Sequence, residues 1–448
     1  MMGCELERWP LDLSDLAPDP SWSFAHCKKS QTSKWTHCYH RYPAKFIPQL
    51  VERLYDEYLP EEGAFINDPF MGSGTAIVSA LARGYRASGT DVNRLALLMT
   101  LVKSTPLEPR FLEERLQHFW QRLDSQALEP LIPQCHAARI EYWFRPPEKL
   151  KLGQLLRAIY TEEDERVQRF LLLAFSNILK PCSIWSQEST KPTRDFRKTP
   201  LEPGYALRRQ LARMEKGNRE YWEVVPKEVK VNPSAFLCLQ AGDARHQPVA
   251  TESVDLVVTS SPYVTSYEYA DLHQLSTIWL DLAEDLARYK RSFIGTAHKR
   301  YQSPALTSPT ARAIVAAMSE KSAAMAAEIE AFFADMQAVI RESHRILKPG
   351  GRACYVIGNT RLKGVDIRNA EVFAETMLST GFALDRIIKR QIPSKILPQT
   401  RDARSGRFAA TRQADNHAYP CEYIVIGRKP TKALPGLYPM ATADAGSW

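Results

Sequence analysis

The sequence predicts an α/β fold interrupted by a mainly helical insertion, and three observations carry that expectation. Between Ala64 and Asp91 a short apolar run, a glycine turn, a helical run and a second strand-like run follow one another, which is a βαβ unit. Strand and helix patterns alternate again from Phe236 onward. Between Lys103 and about Val231 the pattern shifts to longer helical stretches.

Taken in order, Phe46, Ile47, Leu50, Val51, Leu54 and Tyr58 recur at helical spacing and predict an amphipathic helix within 43–59. A strand over 64–68, a helix over 76–83 and a strand over 86–91 complete the first unit. Residues 166–179 read as a helix of the insertion, followed by a polar, Pro-punctuated and basic segment over 180–219. The α/β pattern returns with a strand at 236–240 and a strongly apolar one at 254–259, as expected of a buried parallel strand. Residues 311–347 read as one Ala-rich helix with Ile329, Phe332, Phe333, Met336, Val339 and Ile340 as its apolar stripe, ended by Lys348-Pro349-Gly350-Gly351. A strand at 353–358, a helix at 372–378 and a last strand at 423–427 follow. The expected organisation is an N-terminal extension at 1–38, a catalytic body from 39–106 and 236–430, an insertion at 107–235 and a tail at 431–448.

A chain of 448 residues suffices for two or three domains, and 44% hydrophobic with 25% charged residues excludes collagen-like and disordered classes. The net charge of +8 permits a polyanionic partner without selecting one. Met1–Pro20 lacks a basic segment followed by an apolar run, and no stretch of about eighteen apolar residues occurs. Neither secretion nor membrane spanning is expected. The 8 cysteines (Cys4, Cys27, Cys38, Cys135, Cys182, Cys238, Cys354, Cys421) form no C-x-x-C pair, so they read as reduced, cytoplasmic and free of metal.

The turn Asp68-Pro69-Phe70-Met71-Gly72-Ser73-Gly74-Thr75 sits at a strand end, where glycines let the backbone approach a ligand closely. It has neither the Gly-Lys-Ser/Thr of a P-loop nor the G-x-G-x-x-G of a dinucleotide site, and instead opens on a carboxylate. A carboxylate repels phosphate and suits a cationic amino-acid group. Asp91, ending the next strand, stands where an acid hydrogen-bonds ribose hydroxyls. Asp243, in Gly242-Asp243-Ala244, is placed to meet an adenine edge. A nucleoside carrying an amino acid satisfies all three, and S-adenosylmethionine is such a molecule. The other reading is a tight turn with N-capping Asp and Ser.

Together with Thr259-Ser260-Ser261-Pro262-Tyr263, this turn resembles the amino-group DNA methyltransferases, which modify exocyclic nitrogens of cytosine or adenine. The resemblance covers about 39–106 and 236–429. It implies a seven-stranded Rossmann-like sheet, S-adenosylmethionine as donor, double-stranded DNA as substrate, a flipped target base, and target recognition in the insertion. Asp68, Phe70, Gly72, Ser73, Gly74, Thr75, Asp91 and Asp243 would hold the cofactor. His40-Arg41-Tyr42-Pro43-Ala44-Lys45-Phe46 resembles the family segment that closes over its methionine part, which adds Lys45. The Ser260 hydroxyl and the Ser261 main-chain carbonyl would accept hydrogen bonds from the target amino group, Pro262 would stiffen the turn, and Tyr263 would stack on the extruded base. The family usually has two prolines here, and Ser261 occupies the place of the first.

In the enzymes this turn resembles, Ser at its head goes with N4 of cytosine and Asp more often with N6 of adenine, so the resemblance implies cytosine. Adenine is the alternative, followed by an RNA guanine methyltransferase and by a DNA-binding module that keeps the pocket and has lost catalysis. Carbon-5 chemistry would need a Pro-Cys nucleophile after the strand bearing Ser260, and neither Pro181-Cys182 nor Pro420-Cys421 is there. The implied setting is a prokaryotic restriction-modification system, with a cognate restriction enzyme and nucleoid association. Two basic stretches are candidates for DNA. Over 386–412, Arg386, Lys389, Arg390, Lys395, Arg401, Arg404, Arg407 and Arg412 face one acid, Asp402, and predict a phosphate-binding loop. In the insertion, Arg194, Arg197 and Lys198 are candidates for base reading. Trp185 and Phe196 would fill the gap left by a flipped base or lie in the core; Tyr267, Tyr269 and His273 would shape the base pocket or pack helices.

Overall fold

The computed structural model describes residues 10–43, 46–60, 62–187, 189, 192–264, 269–295, 304–392, 400–401, 416–417 and 421–431. Its centre is a seven-stranded sheet made of β1 (Phe65–Asp68), β2 (Arg86–Asp91), β3 (Leu237–Ala241), β4 (Val254–Ser260), β5 (Leu347–Ile357), β6 (Ala383–Gln391) and β7 (Cys421–Arg428). The spatial order is β3-β2-β1-β4-β5-β7-β6, with β7 antiparallel to both neighbours and the other pairings parallel. The chain moves outward from β1 through β2 to β3 and then returns to β4 on the other side of β1. That reversal opens a crevice at the carboxyl ends of β1 and β4, where α/β sheets bind ligands.

Side chains of the central strands are buried on both faces, alternating except where the β4 register shifts between Val254 and Leu256. In β4, Val254 and Val257 face one apolar cluster while Leu256 and Val258 face another; in β7, Tyr423 and Val425 are set against Ile424 and Ile426 in the same way. Helices α1 (Pro48–Tyr58) and α2 (Thr75–Leu81) cover one face. The other is covered by α8 (Pro309–Ser319), α9 (Ala323–Ile346) and α10 (Asn369–Thr380). The single helix expected over 311–347 is therefore two, because Ser322 turns extended (φ −168°, ψ 104°) ahead of α9.

The basic run at 386–390 also departs from the loop expected there. Arg386, Lys389 and Arg390 lie on β6, an edge strand whose charges alternate with the half-buried Ile387 and buried Ile388. Arg386 reaches Asp19 and Glu57 at 3.5 Å, and Arg390 pairs with Glu422. The N-terminal segment partly covers this edge, with the Asp19 N–H donating to the Lys389 carbonyl at 2.7 Å.

A third apolar cluster holds the helical part: α3 (Arg94–Ser104), α4 (Pro109–Ser125), α5 (Pro146–Tyr160), α6 (Glu165–Ile178) and the first half of α7 (Pro203–Val224). It is continuous with the sheet body. Leu95, Met99 and Val102 of α3 belong to it, and so do Leu275, Ile278 and Trp279, which follow the Ser260–Tyr263 turn in sequence. Farther along α7, Tyr221 enters the cluster under the sheet and donates to the Val78 carbonyl at 3.1 Å. Among the described residues no helix is long and apolar enough to cross a membrane.

Candidate active site

The crevice is a cleft, open to solvent, where β1, β2 and β4 end. Asp68, Phe70, Gly72, Ser73, Thr75, Asp91 and Asp243 line it together with Ser260, Ser261, Pro262 and Tyr263. The two motifs, some 190 positions apart, touch: the Thr259 hydroxyl donates to Asp68 Oδ1 at 2.7 Å. The Phe70 N–H donates to the same oxygen at 3.1 Å. Burial nevertheless pushes Asp68 up to about 7. Asp91 accepts from the Gly72 N–H at 2.9 Å and the Asn93 N–H at 2.8 Å, and burial raises it to about 6. Asp243 is held by the Arg245 guanidinium at 2.6 Å, which also pairs with the buried Asp335 of α9.

The glycine turn is braced from behind by α3. Lys103 is fully buried and donates its ammonium to the Ser73 carbonyl at 2.8 Å, while the Thr100 hydroxyl donates to the Gly72 carbonyl at 3.3 Å. Gly72 (φ +47°) and Gly74 (φ +74°) both have left-handed backbone, which favours glycine. Gly74 differs from expectation in that it does not line the cleft: it caps α2 and faces α3, and a Cβ there would stand 2.7 Å from Thr100 Oγ1. Neither Lys103 nor Thr100 was singled out by sequence, and the available signal was a lysine closing the apolar run of α3.

At the Ser260–Tyr263 turn, Ser260 ends β4, and its hydroxyl has no partner among the described residues. Ser261 is buried, with its hydroxyl directed to the Val356 carbonyl at 3.4 Å. Tyr42 and Tyr269 stack across the cleft wall at 5.4 Å and 21°, and Phe293 and Ile294 complete the apolar side. Tyr42 belongs to the His40–Phe46 segment, from which only Lys45 was taken as a site residue, whereas Phe293 and Ile294 were missed because nothing local marks them. His273 packs behind this wall, bonded through Nδ1 to Asn93 at 2.9 Å and pushed down to about 4 by burial, so it is neutral. Lys45 and Tyr267 lie outside the described residues.

No family model matches the chain. The type II methyltransferase M.MvaI of Kocuria varians is 26% identical over 418 residues, 87% of this chain and 89% of the relative. Over most of both chains, this protein is therefore similar to a type II methyltransferase. A second type II methyltransferase, M.MjaII of Methanocaldococcus jannaschii, is 37% identical over 81 residues, 18% of this chain and 15% of the relative. A solved structure assigned as a DNA modification methylase of Thermus thermophilus, complexed with S-adenosyl-L-methionine, is 19% identical with a TM-score of 0.22, covering 45% of this chain and 55% of the other.

The residues of the cleft fit S-adenosylmethionine. Asp68, Asp91 and Asp243 line the cleft, and no Lys, Arg or His does among the described residues, which suits a cationic ligand and opposes a phosphate. The Gly72 position adds a cradle that a side chain would fill, since a Cβ there would lie 3.2 Å from the Tyr42 ring.

On the helical face of the protein, the Arg194 guanidinium lies 4.1 Å from the Tyr142 ring centre and 4.4 Å from that of Phe196, which is 67% exposed. Arg197 is almost fully exposed. Lys198 corrects the sequence reading: its ammonium donates to the Lys180 carbonyl at 2.8 Å and the Trp185 carbonyl at 2.7 Å, and burial lowers it to about 8, so it ties the loop together. Trp185 is buried and stacked on Trp143 at 5.1 Å, which is the core role of the two considered. Lys395, Arg404 and Arg407 lie outside the described residues, and Arg401 falls on the short strand Thr400–Arg401 paired with Asn416–His417.

Proposed function

We propose that this protein is an S-adenosylmethionine-dependent DNA methyltransferase that modifies the exocyclic N4 of cytosine in double-stranded DNA, as the modification arm of a restriction-modification system. The observation that carries the reading is the Ser260–Tyr263 turn: it lines the same cleft as Asp68, and it leads with a hydroxyl that has no partner among the described residues. Bound there, S-adenosylmethionine supplies an electrophilic methyl group on a sulfonium.

An exocyclic amino nitrogen is a poor nucleophile because its lone pair is delocalised into the ring. Ser260 and the Ser261 carbonyl accept its two hydrogens, favour a pyramidal nitrogen and aim it at the methyl; the nitrogen then sheds one proton to solvent. The Ser261 hydroxyl is already directed to Val356, which leaves its main-chain oxygen for this task. Tyr263 stacks on the extruded base. No cysteine lines the cleft among the described residues, and burial pushes Cys182 up to about 12, which supports direct transfer over a covalent intermediate.

Arg194 and Arg197 would read bases, and Lys395, Arg401, Arg404 and Arg407 would contact phosphates. Removing Arg404 and Arg407 together should then flatten the salt dependence of DNA affinity by about two units of slope. Nucleoside mass spectrometry of treated DNA, with chromatographic separation of the cytosine isomers, tests the main reading. N4-methylcytosine is expected, N6-methyladenine would replace cytosine by adenine as the substrate, and 5-methylcytosine would contradict direct transfer.

A further inference from the structure

The Tyr263 ring is held from two sides by residues outside both motifs. Gly358, directly after β5, stands against it: a Cβ there would lie 3.0 Å from Tyr263 Cε1, so a side chain at 358 would crowd the ring. On the other side the Tyr263 hydroxyl lies 3.5 Å from Glu422 Oε2. Glu422 is at the start of β7, and because β7 runs antiparallel, that start falls beside the carboxyl ends of β4 and β5, next to the catalytic turn.

Glu422 is itself fixed. Its cross-strand neighbour on β6 is Arg390, and the two form an ion pair with side chains only 13% and 6% exposed. The Arg390 guanidinium also donates to the Trp22 carbonyl at 2.8 Å and the Ser23 carbonyl at 3.4 Å, which ties the pair to the N-terminal segment. A carboxylate anchored in this way presents its second oxygen to the phenol from a fixed point.

We propose that Glu422 is a positioning residue for Tyr263: clamped by Arg390, it fixes the phenolic edge so that the ring offers its face to the extruded base. The inference rests on the reading of Tyr263 as the stacking ring. Holding the ring before DNA arrives removes part of the ordering cost of binding, and a 3.5 Å contact in the DNA-free protein has room to shorten when the base enters.

Steady-state methyl transfer to DNA, with calorimetric affinity for S-adenosylmethionine measured on the same samples, tests it. Tyr263→Phe and Glu422→Ala should each lower kcat/KM for DNA by about tenfold, the size expected for one hydrogen bond, and leave cofactor affinity unchanged. The double variant should be no worse than either single one, because both remove the same contact. Glu422→Gln, which keeps an acceptor, should recover part of the loss. Wild-type kcat/KM in the conservative Tyr263→Phe, or additive losses in the double variant, would overturn the positioning role. Tyr263→Ala separates the two levels of the argument: if it keeps full activity the stacking reading itself falls, whereas its inactivity beside fully active Tyr263→Phe and Glu422→Ala removes Glu422 alone.

Discussion

Asp68 and Asp91 couple ligand binding to pH, and the sign of the effect follows from burial. Their folded values of about 7 and about 6 lie above the roughly 4 of an unfolded carboxyl, so the unfolded chain ionises first. Between about pH 4 and pH 7, raising the pH should therefore cost the ligand-free fold stability. A cationic ligand prefers the ionised pair, so its affinity should rise across the same window in which stability falls. Calorimetry with S-adenosylmethionine at pH 5, 6 and 7 should show tightening with pH in the wild type and a much flatter response in Asp68→Asn; equal affinities at all three would contradict the assignment. Behind the turn, Lys103→Met should leave the Ser73 carbonyl without its donor, lower thermal stability by about 1–3 kcal/mol and weaken cofactor binding. Asp68, Gly72 and Ser260 were readable from sequence because each belongs to a short motif whose chemistry needs those residue types. Lys103 and Glu422 were not, because they reach the site through the fold, from α3 and from β7.

Among the elements, the strand–turn–helix–strand unit was readable because an apolar run, two glycines and a terminal acid mark its joints. Edge strand β6 was hidden for the opposite reason: Asp385, Arg386, Lys389 and Arg390 give it the composition of a loop, and only pairing with β7 turns those charges into outward-facing and ion-paired positions. The same lesson applies to Lys198. A basic stretch specifies charge, not where each cation points, and this one points inward at two carbonyls. Lys198→Ala should therefore lower the melting temperature and leave the salt dependence of DNA affinity unchanged, whereas Arg197→Ala should leave melting unchanged and reduce that slope by just under one unit. A reversed pattern in thermal melts and salt titrations would return Lys198 to the DNA surface.

At the scale of the molecule, the helical insertion and the sheet share walls. The α3 helix presents Leu95, Met99 and Val102 to the helical cluster while bracing the glycine turn, and α7 carries Tyr221 back under the sheet. Sequence periodicity placed α6 but neither α7, whose first residues fell in the segment read as polar and Pro-punctuated, nor this continuity, which depends on contacts between residues far apart in the chain, as with Tyr221 and Val78. Excising 107–235 should strip apolar cover from α3 and from the sheet, leaving a chain without a cooperative thermal transition; a truncated protein that melts cooperatively would show the two parts to be independent. The central claim is that one cleft has two halves, a glycine-turn half that holds the cofactor and a Ser260–Tyr263 half that aims the target amino group. Single-turnover methyl transfer by Ser260→Ala, with cofactor affinity measured on the same preparation, tests it most directly. The account predicts a rate lowered by about 10² or more at unchanged affinity, and a wild-type rate, or a loss traced wholly to cofactor binding, would contradict it.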